Sequence, residues 1–206
     1  MPLQNRVLPD GEIVAIPERG LFTGNRGIIH DPERRALLPR RWTSRRWIVC
    51  LCAFKGVRRP VMGRQSWTEL FFLDEATAFS AGHRPCFYCR RPEARAFQAA
   101  WALAHGGPPP GADAMDLALH AERLDGRAKR RHPLPGPPAG LPDGTMVAAG
   151  DAAFLLRGGR AWRWAAAGYQ PASTLPGGLV LLTPPSIVRT MAAGYRPVLH
   201  PSLADA

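Results

Sequence analysis

The cysteines of this 206-residue chain are Cys50 and Cys52, then Cys86 and Cys89, so all of them fall into two close pairs. Cys86 and Cys89 form a Cys-x-x-Cys turn, Ala81-Gly82-His83-Arg84-Pro85-Cys86-Phe87-Tyr88-Cys89. Such a turn lets two thiolates reach one ion while backbone N–H groups face the sulfurs, and a second pair brought in by the fold completes a tetrahedron. Zinc (Zn2+) is the metal this donor set predicts, with Cys50, Cys52, Cys86 and Cys89 as ligands. If one cysteine of the upstream pair only packs in its strand, His83 or His30 is the substitute. A closed four-thiolate site has no open position, so the zinc is expected to be mainly structural.

The elements that must carry these residues follow from patterning. Residues 42–54 alternate as a strand, with Ile48, Cys50, Cys52 and Phe54 on one face. Residues 55–63 read as a turn and 66–73 as a second strand. Asp74 suits the N-cap of a short helix and Gly82 its left-handed C-terminal residue. Pro92 opens a helix over 92–105 that buries Phe97, Trp101 and Ala104. Upstream, residues 1–33 are turn-rich, including Gly24-Asn25-Arg26-Gly27, with a short strand over 12–16. Downstream, the Gly/Pro run 106–111 reads as a linker. Asp113 then caps a helix to 124 that presents Leu117, Ala121 and Leu124, and 133–142 is a loop. Strands over 145–149, 152–157 and 160–164 form a β-meander, with Gly158-Gly159 as a two-residue hairpin turn. A last strand over 179–182 leads to a helix capped by Ser186 and closed by Gly194. The predicted fold is α+β. A zinc-stapled β/α unit fills a first domain over 1–105, and a meander-containing part covers 106–206, the two able to pack as one domain. Ala193-Gly194-Tyr195-Arg196-Pro197 echoes Ala81-Gly82-His83-Arg84-Pro85 without the cysteines.

The formal net charge is +11, and residues 34–68 contain no acidic residue. Arg40, Arg41, Arg45, Arg46, Arg58, Arg59 and Arg64 lie in that stretch, and Arg84 and Arg90 flank the Cys-x-x-Cys turn. A field of one sign attracts polyanions, so nucleic acid is the expected partner, with these arginines as phosphate contacts. A GC-rich genome would also favour arginine over lysine, but it does not account for the missing acids. No apolar run approaches the length of a membrane span and the N-terminus lacks a signal-peptide core, so a cytoplasmic protein with reduced thiols is expected.

The segment 74–89, with the strand-borne cysteines before it, resembles the zinc-binding domain of Ada-type DNA-alkylation-repair proteins over residues 47–92. In that family a short helix ends in an Ala-Gly-aromatic-Arg-Pro-Cys-x-x-Cys turn, and four cysteines hold zinc. The family's upstream pair is Cys-x-x-x-Cys, against Cys-x-Cys here. The resemblance implies contact with DNA and places Cys50 at the position that accepts a methyl group from a phosphotriester. Over its whole length the chain is also similar to a family of uncharacterised bacterial proteins. Two other readings stand beside a zinc protein of DNA repair or modification. One is a metal-dependent nuclease or hydrolase using His120 and Glu122, although residues two apart do not share a helix face. The other is a structural or protein-interaction module.

Overall fold

The computed structural model describes residues 1–56, 60–64 and 67–204 and shows a mixed α+β fold. The first part of the chain builds a six-stranded sheet from β1 (Arg6–Val7), β2 (Ile13–Val14), β3 (Phe22–Asn25), β6 (Ile48–Leu51), β7 (Leu70–Phe72) and β8 (Arg84–Pro85). The small hairpin β4 (His30–Asp31) and β5 (Ala36–Leu37) interrupts it. Its order is β2-β1-β7-β3-β6-β8, antiparallel except for the β1–β7 and β6–β8 pairs. Glycine and asparagine at 24 and 25 lie inside β3 rather than in a turn. Gly24 crosses so close to β6 that a Cβ there would sit 2.1 Å from the Ile48 carbonyl oxygen, so the residue serves strand packing.

The described residues also form four α-helices, α1 (Glu75–Ser80), α2 (Arg91–His105), α3 (Ala112–Arg123) and α4 (Pro185–Ala192), with α1 and α2 against this sheet and α4 against α2 and α3. Asp74 caps α1 by accepting the Thr77 N–H, as its sequence position predicts. Ser186 is not a cap: it lies one residue inside α4, and Pro184 precedes that helix. On α3 the buried face is Met115, Asp116, Leu119 and Arg123, whereas Leu117 is exposed. The apolar spacing misleads there because two buried charged residues, Asp116 and Arg123, occupy core-facing positions.

The last part forms a five-stranded sheet of order β14-β13-β12-β11-β15, from β11 (Thr145–Ala149), β12 (Ala152–Arg157), β13 (Arg160–Ala165), β14 (Gly168–Ala172) and β15 (Val180–Leu181). A short hairpin of β9 (Leu124–Asp125) and β10 (Ala128–Lys129) follows α3. The central strands β11 and β12 are buried on both faces. Met146, Ala148, Leu155 and Trp162 pack under α1, and the alternate residues Val147, Phe154, Leu156 and Ala161 form a second cluster with Val188 of α4. The main core joins Val49, Phe72, Phe79 and Phe97 to Met115, Leu119, Ile187 and Tyr195, so it draws on residues from both sides of the 106–111 segment. No helix among the described residues is long and apolar enough to cross a membrane.

The echoed pentapeptides are the same device at the ends of α1 and α4. The N–H of Gly82 bonds to Phe79 O at 2.8 Å and that of His83 to Ala78 O at 2.9 Å. Gly194 bonds to Met191 O at 3.0 Å and Tyr195 to Thr190 O at 3.3 Å. Both are Schellman caps with a left-handed glycine, φ +87° at Gly82 and +112° at Gly194. They differ in what surrounds them. A Cβ at Gly82 would sit 2.6 Å from Arg123 Cβ, while one at Gly194 meets nothing within 4 Å. Gly194→Ala is therefore expected to cost about 1–2 kcal/mol through backbone strain alone. Gly82→Ala should cost measurably more, as paired denaturant melts would show; equal costs would mean that Arg123 yields freely.

Candidate metal centre

The parallel pairing of β6 with β8 assembles the site. Val49 stands opposite Pro85, and the Cys86 N–H bonds to Val49 O at 3.0 Å, so the next residue on each strand brings Cys50 beside Cys86. The chain then turns, Arg90 N–H closing on Cys86 O at 3.0 Å as it enters α2, and this returns Cys89 to the same point. The sulfurs of Cys50, Cys86 and Cys89 all lie within 4.8 Å of one another. Thiolates around one zinc ion at bond lengths near 2.3 Å would stand about 3.8 Å apart, so a small adjustment closes the set on a metal.

Backbone donors favour negative sulfur here. Tyr88 N–H points at Cys86 Sγ at 3.4 Å, the Cys89 N–H also donates to it, and the Leu51 N–H donates to Cys89. Hydrogen bonding from the neighbouring Cys50 and Cys89 thiols pushes the Cys86 thiol down. The Cys50 thiol is pushed up because it donates to Cys86 and Cys89 and is then buried. A metal would take the place of those shared protons. Three soft donors with amide support fit a thiophilic cation.

Cys52 is not part of this group. Strand β6 ends at Leu51, so the alternation that put Cys50 and Cys52 on one face does not extend to Cys52, which is exposed and points its thiol at Leu21 O, 3.5 Å away. Neither histidine substitutes for it. His83 is buried between Trp47 and Phe72, its Nδ1 near Ala78 O and its Nε2 accepting from Arg26. Burial and the adjacent Arg26 and Arg123 hold it neutral. His30 bonds Thr68 Oγ1 at 2.7 Å and Gly63 O at 3.2 Å. The expectation of a closed four-cysteine site is therefore corrected. Three cysteines converge, and they form part of the wall of a cleft of about 350 Å³. Phe54, Tyr88, Trp67 and Phe71 line it with Arg19 and Lys55. Phe54 and Tyr88 meet edge to face at 5.2 Å, with the Lys55 ammonium over both.

The other predicted residues are scattered. Arg84 and Arg90 are buried, not displayed to a polyanion: Arg84 forms a two-point pair with Asp116 at 2.6 and 2.9 Å, and Arg90 pairs with Glu75 at 2.6 Å. Arg40, Arg45, Arg46 and Arg64 are exposed and Arg41 is half-buried. The acid-free stretch does acquire acids through folding, since Asp113 reaches Arg46 and Glu33 reaches Arg64. Arg58 and Arg59 lie outside the described residues. His120 and Glu122 do not converge. His120 contacts Trp42 and Arg123, while Glu122 accepts the N–H and hydroxyl of Ser186 at 2.9 and 2.6 Å at the start of α4. Glu122 is thus the cap that α4 lacks in its own sequence, and no acid–base pair forms there.

Two constellations bring together residues that the sequence did not pair. Asp74 and Glu75 are fully buried acids that tie the C-terminal segment to α1. Asp74 accepts from Tyr169 OH and His200 N–H, and Glu75 from Arg90, Tyr195 OH and Val198 N–H. The second is Arg26 and Arg123 over the Trp47 ring, with Lys129 lining the same cleft. No protein-family model, curated protein or solved structure matches the chain.

Proposed function

We propose that the protein is a zinc protein that contacts nucleic acid and acts in DNA repair or modification, with zinc on Cys50, Cys86 and Cys89. The observation that carries the metal is the convergence of the three sulfurs. Zinc suits a sulfur-rich, tetrahedral donor set with no redox demand. Three protein ligands would leave one coordination position open, the arrangement of zinc sites that take a substrate or water. Support for nucleic acid comes from Arg40 and Arg45, exposed and without a carboxylate within 4.0 Å among the described residues.

A zinc-bound thiolate stays nucleophilic. Cys50, the residue that matches the methyl acceptor of Ada-type domains, lines the cleft. In such a step its sulfur bonds to the methyl carbon, the carbon–oxygen bond breaks, and the phosphodiester leaves as the anion.

Metal analysis of the purified chain should give about one zinc per protein, and a folded protein that binds none would overturn the reading. Duplex DNA should bind with an affinity that falls steeply with salt. Arg40→Ala with Arg45→Ala should lower the log–log salt slope by about 1 per lost phosphate contact. Salt-independent binding, or none, would remove nucleic acid from the proposal. Incubation with methyl-phosphotriester DNA should add one methyl group at Cys50 by peptide mass mapping. An unmodified Cys50 would confine the proposal to zinc and nucleic-acid binding.

A further inference from the structure

On a face formed by the 9–12 turn, the end of β3, the last turn of α3 and the β9–β10 hairpin, cations gather without a carboxylate in contact among the described residues. Arg26 and Arg123 are 2% and 0% exposed, and their guanidinium groups sandwich the Trp47 ring, each 4.0 Å from it. The Lys129 ammonium joins them, donating to Ser80 O at 2.5 Å. Arg123 gives its Nη atoms to Gly82 O, Arg45 O and His120 Nδ1, and Arg26 gives Nη1 to Gly11 O. Arg26 Nη2 and Arg123 Nε are buried and bond to nothing. None of the three cations has a carboxylate within 4.0 Å among the described residues. Proteins bury such charges only when something neutralises them.

The cluster opens on a small cleft of about 30 Å³ that Arg41 and Arg127 also line, against only two carboxylates, Asp10 and Glu12. Gly11 stands directly before the unpaired nitrogen, and a Cβ there would lie 3.6 Å from Arg26 Nη2. The space is too small for a nucleoside. A planar guanidinium with free donors beside an ammonium is the donor set that recognises phosphate.

We infer that Arg26, Arg123 and Lys129 form a binding site for a phosphate-type oxyanion, either free phosphate or a terminal phosphate of a nucleic-acid strand. The state of the cations without it agrees: burial, the largest cause for each, pushes Arg26 and Arg123 down to about 9 and Lys129 to about 7, with Arg26 adding repulsion on Arg123 and on Lys129. The inference is independent of the metal, since the cleft shares no lining residue with that of the cysteines.

The test is thermal unfolding of the full chain in sodium phosphate against sodium chloride at matched ionic strength, with titration calorimetry of inorganic phosphate. Phosphate should raise the melting temperature by about 4 °C near saturation. Lys129→Met and Arg26→Met, each replacing an enclosed cation with an apolar chain, should weaken phosphate binding at least about 10-fold, the loss of one charge-assisted contact. Equal melting in the two salts, or phosphate binding unchanged in both variants, would overturn the site. Displacement of phosphate by a 5′-phosphorylated oligonucleotide but not by its hydroxyl-ended twin would identify the nucleic-acid source. Displacement by neither would identify free phosphate.

Discussion

Replacing Cys86 by serine is expected to weaken zinc binding by more than about 100-fold, because loss of outer-shell partners alone costs 10- to 100-fold and this removes a ligand. Cys86 is the sulfur toward which the other two thiols and the Tyr88 and Cys89 N–H groups converge. A hydroxyl in its place is a poor zinc ligand and leaves two thiolates. Cys52→Ser is the control: Cys52 stands outside the sulfur group, so zinc affinity should stay within about 2-fold. Competition titration with a chromophoric chelator reads both. If Cys52→Ser lost zinc as completely as Cys86→Ser, the three-sulfur arrangement would be wrong. Stripping the metal from the natural protein should lower stability without unfolding it. Zinc held at 1,000 times its dissociation constant adds about 4 kcal/mol, or roughly 10 °C in a chain of this size. None of the three apolar clusters includes a cysteine of the metal centre. Since the ligands must be thiolates, affinity should also fall as pH is lowered.

Glu75→Gln is expected to cost about 3–5 kcal/mol, a large part of the 5–15 kcal/mol typical of a folded domain. Glu75 and Arg90 are 0% and 1% exposed along their side chains, so the pair is out of reach of water. Glu75 Oε1 accepts from Arg90 Nη1 at 2.6 Å and Tyr195 OH at 2.9 Å, and Oε2 accepts from Val198 N–H at 2.9 Å. An amide has one acceptor for these donors and turns an N–H₂ toward another of them, while Arg90 keeps an uncompensated buried charge. Tyr195→Phe removes one donor and leaves the ion pair, so it should cost only about 2 kcal/mol. Urea melts give both values. Similar costs would place the energy in the tyrosine contact and not in the buried pair. Arg90 enters α2 directly after Cys89, so Glu75→Gln should also loosen the metal centre, which the same chelator titration detects.

Much of the fold was legible because it depends on local patterns. Asp74 and Gly82 bracket α1 as a capping carboxylate and a left-handed glycine must. Gly158 and Gly159, at φ +58° and +71°, make the hairpin turn their type requires. Alternation located the three meander strands. What failed depended on residues distant in sequence. Ser186 looked like a cap, but Glu122 on another helix caps α4. The apolar stripe on α3 pointed to Leu117, but Asp116 took the buried side because Arg84 arrives to pair with it. Arg84 and Arg90 read as polyanion contacts because a sequence records charge and not the carboxylate that will cancel it.

For the candidate site, the sequence by itself determined the chemistry available: four thiols in two short-range pairs, a Cys-x-x-Cys turn entering a helix, and a surplus of cations. Only the tertiary structure decided which thiols meet. Strand β6 pairs with β8 up to Val49 opposite Pro85 and ends one residue beyond Cys50, so Cys50 faces Cys86 while Cys52 turns toward solvent. Ligand choice is a matter of register and strand length, and both are set by backbone pairing between segments more than thirty residues apart. The same long-range pairing turned the expected closed cysteine cage into a three-sulfur centre on an aromatic cleft.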